Sequence, residues 1–147
     1  MRSKETNILQ GVVLLTGIIY IVTGIVFFIS PLIFGKIFAI NITEDWFNGI
    51  KNDTFVAPLY FLSRGFAAML FSVGLSMILP LFDPLKYRGL IYYTCIIFPI
   101  MVSPLLIING YSLNHNVLVY FGITFAIILS ASTIGLIITR KDLKASI

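Results

Sequence analysis

Asn109-Gly110-Tyr111-Ser112-Leu113-Asn114-His115-Asn116 interrupts a charge-free run that covers positions 89–139. A helix crossing a bilayer takes about 20 apolar residues, so the run has room for two passes, and this polar stretch is the turn between them. Working outward, the run at 6–35 supplies a third span, and those at 54–63 and 65–82, separated only by Arg64, supply a fourth. The sequence therefore predicts an all-α polytopic membrane protein: a single four-transmembrane-helix bundle over 1–147, with spans at about 8–30, 55–82, 89–109 and 117–139.

Composition points the same way. The chain is 59% hydrophobic and 11% charged, against about 25% charged residues in soluble domains. Its net charge of +4 does not signal nucleic acid, because the basic residues sit at helix ends and form no surface interleaved with aromatic rings. They read as topology signals. With the N-terminus inside, Arg2, Lys4, Lys86, Arg88, Arg140, Lys141 and Lys144 face the cytoplasm and only Lys36 and Lys51 face away, so both termini are expected to be cytoplasmic. The first apolar run exceeds the 7–15 residues of a signal-peptide core. It lacks a small-x-small exit before Pro31 and is expected to remain as a span.

Arg64 is the only charge inside a span. A charge at mid-bilayer costs about 2.5–3.5 kcal/mol on insertion scales, so it persists where it is paired, hydrated or able to reach the interface. Two placements meet that condition. Positions one turn apart from Arg64 are Ala68, Ser72 and Ser76, a small and weakly polar ridge that would turn it into the bundle, while Phe66, Leu70, Val73 and Met77 would face lipid. Alternatively, the side chain snorkels along its aliphatic stem to the headgroups. In the inward placement, its partners would be helix-three carbonyls freed by Pro99 and Pro104, those of Cys95 and Ile100, with Thr23 or Tyr20 completing the shell. Arg64, Tyr20 and Thr23 are thus the candidate binding residues. Gly17 and Gly24 lie on the same helix as Tyr20 and Thr23, and packing between helices is the plainer reading of that stripe.

Between the first two spans, Thr43-Glu44-Asp45-Trp46-Phe47 reads as a short interfacial helix with Thr43 as its cap and Trp46 at headgroup level. Asn41-Ile42-Thr43 and Asn52-Asp53-Thr54 match the glycosylation acceptor pattern, which is common by chance. Lys86 and Arg88, in the turn after Asp83-Pro84, are expected to anchor the chain at the opposite interface.

Most catalytic chemistry lacks its residues. His115 stands alone in a loop, without the ligands a metal needs. The carboxylates Glu5, Glu44, Asp45, Asp53, Asp83 and Asp142 lie at helix ends or in loops, which argues against proton-coupled export and against a sterol isomerase. Cys95 falls in the third span and reads as packing. Serine and cysteine have no histidine base beside them, and no glycine-rich phosphate loop is present. No catalytic residue, metal or other cofactor is expected.

Gly17-Ile18-Ile19-Tyr20-Ile21-Val22-Thr23-Gly24, closing at Ser30-Pro31, together with Arg64-Gly65, Val73-Gly74-Leu75 and the turn Asp83-Pro84-Leu85-Lys86-Tyr87-Arg88, resembles the DoxX-like bacterial membrane proteins, especially the family called DUF4345. The resemblance covers about the first half, and the second half lacks the polar and acidic residues often seen late in that family. It implies a four-helix bundle in the bacterial inner membrane with no agreed activity. The leading expectation is a non-enzymatic accessory subunit or a membrane protein binding a small molecule or lipid. The alternatives are a carrier or channel for a small anionic or amphipathic solute, and a quinone- or lipid-linked membrane enzyme. The bilayer is the expected partner, with a homo-oligomer or larger membrane complex also open and nucleic acid excluded.

Overall fold

Inside hydrocarbon a chain must satisfy its own backbone donors and acceptors, which a helix does within one segment. The computed structural model describes residues 4–38, 43–50, 52–55 and 57–139, and no strand occurs among them. Its helices are α1 (Lys4–Ile29), α2 (Pro31–Phe38), α3 (Glu44–Ile50), α4 (Ala57–Ser76), α5 (Ile78–Phe82), α6 (Arg88–Ile91), a π-helical turn (Tyr92–Ile97), α7 (Phe98–Ser112) and α8 (Asn116–Ile138). Four stretches are long and apolar enough to cross a membrane: Lys4–Ile29, Tyr60–Phe82, Arg88–Ser112 and Asn116–Ile138. The chain is an all-α, four-helix membrane protein.

Two packed pairs make the bundle. α1 lies along α4, α7 lies along α8, and α1 against α8 joins the pairs. Lipid tails are as apolar as leucine, so no hydrophobic force drives spans together, and close backbone approach does the work. Glycine permits it. A Cβ on Gly24 would stand 2.7 Å from Phe71 N and 2.8 Å from the Ala67 carbonyl oxygen, and one on Gly74 would stand 2.8 Å from Ile21 N and 2.9 Å from the Gly17 carbonyl oxygen. In the other pair, a Cβ on Gly110 would stand 2.9 Å from Val119 N and one on Gly122 would stand 3.0 Å from Ile107 N. Ser103 Oγ donates to the Gly122 carbonyl across that interface (2.8 Å).

The turn between α7 and α8 explains why α7 runs past the expected end at 109. Asn114 adopts positive φ (51°), its N–H bonds the Tyr111 carbonyl (3.1 Å), and the His115 N–H bonds that of Gly110 (2.8 Å). This Schellman closure satisfies the last carbonyls of α7, so Asn109 to Ser112 form its final turn.

Pro31 does not end helical structure either. Ser30 breaks α1 and Pro31 starts α2, a position where a missing N–H costs nothing and the fixed φ suits a helix. The expected single interfacial helix between the first two spans is therefore two, α2 and α3. α2 touches α1, α4 and α8 and seats Phe34 edge-on against Phe27 (5.3 Å, 85°) and 5.8 Å from Phe66. His115 Nε2 lies 3.2 Å from the Lys36 carbonyl oxygen, so this lone histidine bridges α2 to the α7–α8 turn.

Leu9, early in α1, lies beside Gly135, late in α8, so the start of α1 and the end of α8 lie on one side of the bundle. The side chain of Trp46 lies outside the described residues, although its backbone is in α3. So do Arg2, Asn41, Lys51, Arg140, Lys141 and Lys144.

Candidate binding cavity and the surroundings of Arg64

α4 and α7 make at most marginal contact, and the space left among the four long helices is a cavity of about 220 Å³. Phe27, Phe66, Phe121 and Phe125 give it aromatic walls, and Leu70, Val102 and Leu106 fill the gaps between them. Phe27 and Phe121 stack at 6.1 Å. Because Phe34 packs on Phe27 and Phe66, α2 covers two of the walls. Tyr20, Thr23 and Thr124 bring hydroxyls to the lining. That of Thr124 bonds the Tyr120 carbonyl in its own helix (2.9 Å), whereas that of Thr23 makes no hydrogen bond among the described residues.

The Tyr20 hydroxyl has another task, set by Pro99. In the π-helical turn, the Phe98 N–H reaches back to the Tyr93 carbonyl. In that register the Thr94 carbonyl would take its bond from residue 99, and proline has no N–H to give. Tyr20 Oη supplies the donor from α1 at 2.8 Å. The carbonyl orphaned by Pro99 is therefore that of Thr94, and the expectation of Cys95 assumed an uninterrupted α register. The donor is Tyr20, and the guanidinium expected there is elsewhere.

Around this bond lies a buried polar cluster. Thr94 Oγ1 donates to the Leu90 carbonyl (2.6 Å) and sits 3.0 Å from Met77 Sδ and 3.5 Å from Cys95 Sγ. The hydroxyls of Thr16 and Ser132 also face the Cys95 sulfur, Ser132 without hydrogen-bond geometry to any partner. Thr16 bonds the Val12 carbonyl one turn back (2.9 Å), so most of these hydroxyls satisfy their own helices.

Arg64 is exposed on the outer face of α4. Its Cζ lies 4.6 Å from the Tyr60 ring centre and 5.9 Å from that of Phe28. Of the two placements open in the sequence, the structure shows the outward one. The buried face of α4 carries Ser63, Ala67, Leu70, Gly74 and, just beyond it, Met77, while Ala68 and Ser72 are exposed. Assigning the small ridge to the interior had reversed the helix, because the α1 glycines accept Ala67, Phe71 and Gly74 as their partners. The structure thus brings Tyr20 and Thr23 to one cavity and leaves Arg64 apart from both. Lys86 is exposed, with Nζ 5.4 Å from the Tyr87 ring, and Arg88 opens α6.

Sequence reasoning missed Thr94 and the cavity's phenylalanines. A threonine five residues before a proline was a usable signal for the first. The phenylalanines carried none, since they are as frequent toward lipid as toward the core. Among the described residues, no group of histidine, cysteine and carboxylates could hold a metal ion.

These features define an integral multi-pass membrane protein with an apolar chamber between its helices. Comparison with protein-family models, curated proteins and solved structures gave no match.

Proposed function

We propose that this chain is a non-enzymatic membrane protein that holds a small, neutral, largely apolar molecule in the cavity between its helices. One observation carries the reading: an apolar cavity of about 220 Å³ is larger than the roughly 150 Å³ that suffices to take up benzene and stays dry. It is smaller than the 300–1,000 Å³ of sites for drug-sized ligands. The occupant is then one ring or a short hydrocarbon segment, and the unengaged Thr23 hydroxyl offers it one hydrogen bond. The carrier for an anion receives less support, because the one charge within a span lies outside the chamber. The charge pattern supports a membrane orientation with both termini in the cytoplasm, and the motif resemblance supports a DoxX-like kinship and a place in the bacterial inner membrane. A homo-oligomer or larger membrane complex fits the accessory role, with Lys86, Arg88 and Trp46 as interfacial anchors.

Photolabelling the reconstituted protein with a neutral aryl diazirine tests the reading. Adducts are expected on Leu106 and Phe121 and should disappear in Leu106→Trp, which fills the space. Labels confined to lipid-facing Ile29 and Met101, and indifferent to that substitution, would refute an occupied cavity.

A further inference from the structure

A second feature lies on the outside of the bundle. Gly24, Ala67 and Ala68 leave a groove between α1 and α4, walled by Phe28, Ile29 and Phe71, with a volume of about 370 Å³. Both helices belong to apolar spans, so the groove faces acyl chains. One turn beyond Ala68, toward the end of the bundle that carries α2, stands Arg64. Phe28 is common to both, lining the groove and lying under the guanidinium.

Arg64 lies seven residues into α4, which begins at Ala57, about 10 Å along the helix at 1.5 Å per residue. Helical side chains lean toward their N-terminus, and the guanidinium over the Tyr60 ring follows that lean. The long side chain is thereby carried from its Cα toward the near end of the helix, at the mouth of the groove. No carboxylate among the described residues pairs with it. Two rings lie beside it, and a guanidinium fork is suited to two parallel bonds to a phosphate.

We infer that this groove is a site for one anionic glycerophospholipid, with an acyl chain along Ala68 and Phe28 and its phosphate on Arg64. A zwitterionic lipid would fill the groove as well but would bring its own cation to the same place. A second copy of the chain, which could offer Glu44, Asp45 or Asp53 at this end of the bundle, is the competing occupant that the test separates.

Native mass spectrometry of the full chain, released from nanodiscs holding equal phosphatidylglycerol and phosphatidylcholine of one acyl length, tests the site. The wild type is expected to retain phosphatidylglycerol about fivefold over phosphatidylcholine, the effect of one basic residue at a lipid surface. Arg64→Gln should abolish the preference while leaving both lipids bound, and Arg64→Lys should keep part of it. Ala68→Trp, which fills an exposed groove without touching the core, should lower retention of both. A preference unchanged in Arg64→Gln would overturn the assignment. So would displacement of the lipid by millimolar inorganic phosphate, or a lipid-free dimer in the same spectra.

Discussion

Replacing Tyr20 by phenylalanine isolates the bond that compensates for Pro99. The ring stays, with its 6.0 Å contacts to Phe98 and Phe125, and only the hydroxyl that donates to Thr94 is lost. Tyr20 is 1% exposed, so water does not replace it. An unsatisfied buried polar group costs about 1–3 kcal/mol, whereas hydrogen bonds between spans average about 0.6 kcal/mol with a maximum near 1.7. The measured averages are low because most groups find another partner, and this carbonyl has none in its own helix. The expected cost of Tyr20→Phe is therefore at the upper end, about 1–2 kcal/mol. In a Pro99→Ala background the restored N–H relieves the orphan, whether it bonds Thr94 directly or draws the turn back into α register. Tyr20→Phe should then cost about 1 kcal/mol less than in the wild type. Reversible unfolding of the four proteins of this cycle in mixed micelles gives the coupling. Additivity within about 0.5 kcal/mol, or a silent Tyr20→Phe, would refute the account of the π-helical turn.

Other substitutions separate contact from open space. Gly24→Ala places a Cβ within 2.8 Å of two α4 backbone atoms and should lose about 1–3 kcal/mol through overpacking, while Gly65→Ala, with nothing within 4 Å, should gain about 0.5–1 kcal/mol; equal thermal shifts would contradict the α1–α4 interface. Ser103→Ala removes the α7–α8 bond to Gly122 and should cost about 0.6 kcal/mol in the same unfolding assay, with a loss above about 3 kcal/mol counting against a single-bond role. His115→Ala frees α2 and should speed amide exchange in Pro31–Phe38 roughly twofold to tenfold, the equivalent of a bond of about 0.5–1.5 kcal/mol; unchanged exchange would show that the Lys36 contact holds nothing.

What could be read in advance follows from where charge matters. Four long apolar helices were legible because lipid tolerates so few charges, and the charge-free runs marked them. Which face of a span points inward was not legible, because both faces are apolar. Ala68 and Ser72 looked like an interior ridge, yet Gly24 and Gly74 decide the contact, and only three-dimensional fit reveals that Phe71 N and the Gly17 carbonyl approach them. Tyr20 and Thr23 line one cavity, as residues three apart on one helix can. Arg64 was joined to them by an assumed depth, but a long flexible stem lets that charge leave the level of its own Cα. Pro99 was read as orphaning a carbonyl, which was sound, but one added residue in the turn moved the orphan by one position, and no local signal announces that shift.

The division of the bundle into two glycine-sealed pairs has a mechanical consequence. Backbone-to-backbone contacts make each pair stiff, while α4 and α7 face each other across side chains alone, with the chamber between them. Compliance is thus concentrated at a single seam, and a small rocking of one hairpin on the other would alter the chamber's capacity well before it loosened either hairpin.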